Sequence, residues 1–249
     1  MANLIAVNPQ LHAPLRIAPD IAERHSQGIQ LLPVVPAEFA NIATQSPIVL
    51  TKNGQTGQFV TVAMLGFTPG ENLWFADDRW QGAYLPLQLQ RQPFFLGQAD
   101  ASSQGEYVLC IDPDSPAICR DENVVLYPTT SSERLFTQTG EDSAYLQQIK
   151  GVLAALLQGE QQQQQLVQAL LDAELIQPLS LEITFANQQS TRLNGLYTID
   201  QEKLAALPAP KVVQFHQAGL LAPIYTLLAS AAQLYPLIAR KNQQLAGAV

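Results

Sequence analysis

Three carboxylates lie close together in one stretch of this chain: Glu71, Asp77 and Asp78. Paired carboxylates can divide acid and base work between them. Aspartates at a chain corner can also simply solvate a turn. Around them sit Trp74, Trp80, Tyr84 and Arg91. Aromatic rings offer large apolar faces, and a guanidinium stacks on them. The set can therefore wall a pocket, with Glu71 and Asn72 as its polar contacts. As core rings and a clamping arginine, the same residues would only hold the fold. The expectation carried forward is ligand or partner binding at Glu71, Asn72, Trp74, Trp80, Tyr84 and Arg91. No residue is assigned a catalytic role.

Other chemistry-bearing residues have no motif around them. The chain has no G-x-S-x-G, no H-E-x-x-H, no Gly-rich phosphate loop and no dinucleotide fingerprint. A serine or cysteine nucleophile needs a base beside it, and no motif places His25 or His216. His12 reads as a surface or capping histidine. Cys110 and Cys119 are separated by eight residues. They do not give the four ligands at fixed spacing that zinc requires, and Cys110 reads as a small buried hydrophobe. Asp112, Asp114, Asp121 and Glu122 do not match a calcium-loop spacing. No metal and no cofactor are expected.

The elements that must position these residues follow from periodicity. Residues 47–51, 58–67 and 72–76 read as a three-stranded antiparallel meander. Its middle strand is apolar on both faces, and Thr68-Pro69-Gly70-Glu71 forms a type II turn. Further strands are expected near 106–112, 179–185 and 192–199, the last two forming a hairpin. Pro36–Gln45 and the stretch after Pro86 read as short helices. Residues 143–158 form an amphipathic helix that Gly159 breaks, and the glutamine run 161–165 is the solvated first turn of the next. Asp200 is an N-cap. Gly219 follows a helix end. Leu220–Arg240 is a long apolar helix that Pro236 kinks or splits. The tail from Lys241 is expected to fray. This is an α+β fold, an antiparallel sheet packed against helices mainly from the C-terminal half. It reads as one domain over 1–249, strand-rich to about 136 and helix-rich from 137, sharing one core.

The 249 residues are 47% apolar, enough for a sizeable core without staples. A net charge of −8 argues against a nucleic-acid partner, which needs clustered Lys and Arg, and against a basic membrane-surface helix. The charged fraction of 14% is low and glutamine is abundant, which suits neutral partners. No apolar run approaches the roughly 20 residues of a membrane span, and the N-terminus lacks a basic start followed by an apolar block. A cytoplasmic protein without membrane insertion is expected. Self-association through the Leu220–Arg240 helix is a further expectation.

The order of short motifs resembles the SapC family, named for surface-layer protein secretion. The carrying residues are Asn8-Pro9 with His12, PAEF at 36–39, SPIVL at 46–50 and LGF at 65–67. ENLW at 71–74, RWQGAYLP at 79–86, RQPF at 91–94 and CID at 110–112 continue it, followed by GLYTID at 195–200 and AGLLAPIYTLLAS at 218–230. Family members tend to carry two adjacent arginines and an aromatic before Pro-Phe, where this chain has Gln90, Arg91 and Gln92. The resemblance implies export of a surface-layer protein. Members are also encoded near outer-membrane receptors and flavin-dependent halogenase-like proteins, which implies nutrient uptake or peptide modification. It supplies no catalytic residues. A non-catalytic accessory protein binding a partner protein or small neutral ligand is the expectation. The alternative is a peptide- or sugar-modifying enzyme using the carboxylates near Glu71–Asp78.

Overall fold

The structure, a computed structural model, describes residues 4–98, 107–119 and 132–247. The chain is α+β and divides into two compact units, each assembled from separate segments. The first comprises Met1–Gln27, Phe75–Gln81 and Leu87–Leu157; the second Gly28–Trp74, Gly82–Pro86 and Gln158–Val249.

The second unit is built on a five-stranded antiparallel sheet. Its strands run in the order Ile176–Thr184, Ser190–Ile199, Ile48–Lys52, Phe59–Met64, Leu31–Pro33. Phe59–Met64 is an interior strand with a neighbour on each side, and its last four residues are buried, as apolar residues on both faces require. The meander expected over 47–76 holds for its first two strands only. The neighbour on the far side of Phe59–Met64 is Leu31–Pro33. Gly70 takes φ +83° and Glu71 N–H bonds Thr68 C=O at 3.1 Å, closing the expected turn. Asn72 then diverts the chain, because its Oδ1 accepts from Trp74 N–H at 2.9 Å in an Asx turn that competes with strand pairing. Phe75–Ala76 pairs instead with Arg79–Trp80. Asp77 and Asp78, with φ of 52° and 61°, form the two-residue loop of this hairpin; aspartate tolerates the left-handed region better than most residues.

The hairpin at 176–199 pairs over most of its length, with an irregularity between Leu179 and Leu181. Asp200 caps Gln201–Ala205 through Lys203 N–H. Gly219 takes φ +69° after Ala209–Gln217, and Leu220 N–H reaches back to Phe215 C=O at 2.9 Å, a six-to-one closure of the helix end. The apolar helix is split as Pro236 requires. Leu221–Ser230 and Leu234–Gly247 are joined by a 3-10 turn at Ala231–Gln233. Two expectations fail here. Residues 241–247 continue the helix rather than fray, and Leu221–Gly247 taken together is long and apolar enough to cross a membrane by length and composition.

The helix Ala144–Asp172 runs unbroken for 29 residues. Gly159 does not interrupt it. An ideal Cβ there would lie 2.6 Å from Val35 Cβ, so the glycine serves close packing. Ser143 caps its start, its Oγ accepting from Leu146 N–H at 3.1 Å.

The first unit carries small antiparallel sheets. Ile5–Ala6 and Phe94–Gln98 flank Tyr107–Ile111, and Ile118–Cys119 and Glu133–Arg134 flank Arg16–Ile17. Its core packs Ile17, Ile21, Phe94, Ile111, Leu135 and Ile149 together. His12 is buried, its Nδ1 2.9 Å from Asn8 N, so it closes a local turn instead of facing solvent. Cys110 and Cys119 are buried free thiols, and burial raises the Cys119 pKa.

Candidate functional site

The structure places the six candidate residues in two units. Glu71, Asn72, Trp74 and Tyr84 belong to the second, Trp80 and Arg91 to the first. Glu71 can fold back under the turn because Gly66 leaves room; a Cβ at Gly66 would lie 2.6 Å from Glu71 O. Its Oε2 accepts from Phe67 N–H at 2.6 Å, and its Oε1 pairs with Lys241 Nζ at 2.5 Å. The two side chains are only 11% and 17% exposed. Trp74 is buried, with the Arg240 guanidinium 3.8 Å from its ring centroid. Two consecutive basic residues of the last helix therefore grip this turn, one by charge and one by stacking on a ring. Sequence reasoning gave Arg240 no role and put Lys241 in a fraying tail, because both partners lie far away in the chain.

Tyr84 faces a different set of groups. The Gln45 amide bonds both its backbone N–H, at 3.0 Å, and its C=O, at 2.8 Å. Its phenol donates to Glu38 Oε2 at 3.2 Å, and Val35 N–H donates to Glu38 Oε1 at 3.3 Å. The buried Glu38 thus has hydrogen bonds at both oxygens, as a buried carboxylate demands.

In the first unit, Trp80 N–H donates to Glu23 Oε2 at 2.8 Å. Arg91 donates to Gln88 Oε1 at 2.7 Å and to Phe94 C=O at 2.8 Å, and its guanidinium lies 4.3 Å from the Phe95 ring centroid. Asp78 pairs with Arg24 at 2.9 Å at the surface. One contact was invisible in the sequence. His25 Nε2 lies 3.2 Å from Ser115 Oγ, across 90 residues of chain. Burial lowers the His25 pKa; Asp112 partly offsets this and Arg91 adds to it. Ser115 Oγ also accepts from Ala117 N–H at 3.3 Å, so the pair braces a turn as well as meeting the distance for proton transfer.

The His25 shift has a consequence for stability. The unfolded chain binds this proton more readily than the folded one, so acidification favours unfolding. The contribution is intact above pH 6.5, the ordinary histidine value, and is lost as pH falls from there through the lowered folded pKa. Thermal midpoints measured against pH should fall below 6.5 in the wild type and lose that component in His25→Asn. Identical pH slopes in the two would refute this.

Among the described residues no three His, Cys, Asp or Glu side chains gather as a metal site. Asp121 and Glu122 lie outside the described residues. The second unit does contain a cleft of about 330 Å³. Pro36 and Ala37 form one side, Gln162, Gln165 and Leu166 of the long helix another, and the helix corner at Ala218, Gly219, Leu220 and Pro223 the third. None of these side chains can ionise.

A family description of SapC matches residues 7–237. The chain belongs to the SapC family. No curated protein and no solved structure matches it. The SapC match takes in all six candidate residues and every wall of the cleft, and stops three residues short of Arg240. In this SapC chain the grip on Glu71 and Trp74 is thus made from beyond the matched span.

Proposed function

We propose that this SapC-family protein is a non-catalytic accessory protein that binds a partner protein or a small neutral ligand. The observation that carries the reading is the cleft of the second unit, whose lining among the described residues contains no ionisable side chain. Such a site can hold a ligand by shape and hydrogen bonds, but it has no group to move a proton. The enzyme alternative needs free carboxylates near Glu71–Asp78. Both Glu71 oxygens are engaged, and Asp78 is paired with Arg24. A link to surface-layer export or outer-membrane nutrient uptake belongs to the same proposal through the family resemblance, and a cytoplasmic location is proposed with it. Self-association through Leu220–Arg240 belongs to it too, supported by Tyr225 and Tyr235, which are 56% and 77% exposed.

Affinity capture from the native host tests the reading. Ala37 is exposed at the cleft rim, so Ala37→Trp should obstruct the cleft and leave the fold intact. The wild type should retain a ligand or partner that Ala37→Trp retains several-fold less. A Trp80→Ala, Arg91→Ala double variant in the same capture asks whether the first unit contributes. Equal retrieval by all three proteins defeats the proposed sites. A substrate turned over by the wild type and not by Glu71→Gln would favour the enzyme.

A further inference from the structure

The glutamine run is the part of the sequence that no role has yet absorbed. It lies in the interior of the helix Ala144–Asp172, not at a helix start. Gln163 faces the sheet, its Oε1 accepting from Thr61 Oγ1 at 2.5 Å. Gln162 and Gln165 line the cleft instead. They are three residues apart, so their side chains lie about one turn from each other along the axis, roughly 4.5–5 Å. Among the described residues neither amide has a side-chain partner. Each carries a donor and an acceptor, the same pair that a peptide group presents in reverse. The other walls bring the apolar surfaces of Pro36, Ala37 and Leu220.

From this we infer that the cleft binds an uncharged polypeptide segment in extended form, with small apolar side chains. The inference rests on the proposed binding role and names its ligand class. A charged side chain entering the cleft would lose water without finding a counter-charge. An extended chain alternates backbone polar groups with side chains, so it can meet the amides on one side and the apolar wall on the other. Among the described residues the cleft lining has no aromatic ring, so a neutral sugar would find no ring face there to stack on. Recognition through backbone groups reads shape and lack of charge more than identity, which suits a range of related segments.

The test uses the full chain and a pentapeptide of alanine, valine and proline with acetyl and amide ends, followed by titration calorimetry. Gln162→Met with Gln165→Met keeps helix propensity and side-chain length while removing both amides. The wild type should bind the peptide. The double variant should bind it at least about tenfold more weakly, since two or more hydrogen bonds are lost. Ala37→Trp should not bind it. Circular dichroism melts of all three proteins check folding. Peptide binding that neither change alters would overturn the inference. If the peptide fails but maltose binds and Ala37→Trp abolishes that binding, the peptide class is wrong and the binding role survives. If neither probe binds, the inference is lost, and the proposed role then depends on the capture experiment alone.

Discussion

Lys241→Met is expected to destabilise the protein by about 2–3 kcal/mol. The substitution keeps most of the side-chain length and removes the charge. Glu71 is then left with the Phe67 N–H but no cation, at 11% exposure. Removing one partner of a buried pair costs about 3–5 kcal/mol, because the remaining charge stays desolvated. Slight access to water places this site at or below the low end of that range. The companion experiment is Glu71→Gln with Lys241→Met, which removes both charges. It should recover much of the loss, because a neutral pair leaves no stranded ion. Urea unfolding of the wild type, both single variants and the double variant measures the coupling. A Lys241→Met midpoint equal to wild type would show that the helix beyond Arg240 does not hold the turn.

The second large effect is a sign reversal within one helix. Gly151 and Gly159 both lie in Ala144–Asp172. On propensity alone, alanine at either should stabilise by up to about 1 kcal/mol. At Gly151 the added Cβ meets nothing within 4 Å, so Gly151→Ala should gain close to that amount. At Gly159 the Cβ would meet Val35 Cβ and Cγ2, each at 2.6 Å. Val35 is buried and cannot swing clear, and overpacking of this kind costs about 1–3 kcal/mol. Gly159→Ala should therefore lose about 1–2 kcal/mol net. Val35→Ala, although a cavity in the wild-type background, removes the Cγ2 contact but keeps Cβ, and should lessen the Gly159→Ala penalty in part. Thermal or urea unfolding reads all four variants. Equal gains at both glycines would remove the packing explanation.

These two glycines show where the sequence is legible and where it is not. Signals that act within a few residues could be read directly. Asp200 caps the next helix, Gly219 ends the previous one, Thr68–Glu71 turns, and the 176–199 hairpin pairs. Each rests on local backbone chemistry. Gly159 was misread because its reason lies on another segment, at Val35. The third strand of the meander was misplaced for a related cause. Nothing near Leu31–Pro33 announces that it will pair with Phe59–Met64, whereas the diversion at Asn72 depends on one side-chain bond. The candidate site divides in the same way. Aromatic and acidic residue types drew attention to the 71–91 stretch as a ligand or partner site, and the structure shows Glu71, Trp80 and Arg91 engaged in bonds within the chain. Which bonds they make depended on Arg240 and Lys241, about 170 positions away. The cleft draws on three separated segments, and no window of sequence contains it.

The sheet order bears on how the chain is made. Ile48–Lys52 receives one neighbour at once, from Phe59–Met64, but its other neighbour is Ser190–Ile199. While the polypeptide is being synthesised, that flank stays open until Ser190–Ile199 has left the ribosome. An apolar strand with one unsatisfied edge is a template for other nascent chains. Shielding of that edge until Ser190–Ile199 arrives therefore favours the native pairing over association between nascent chains.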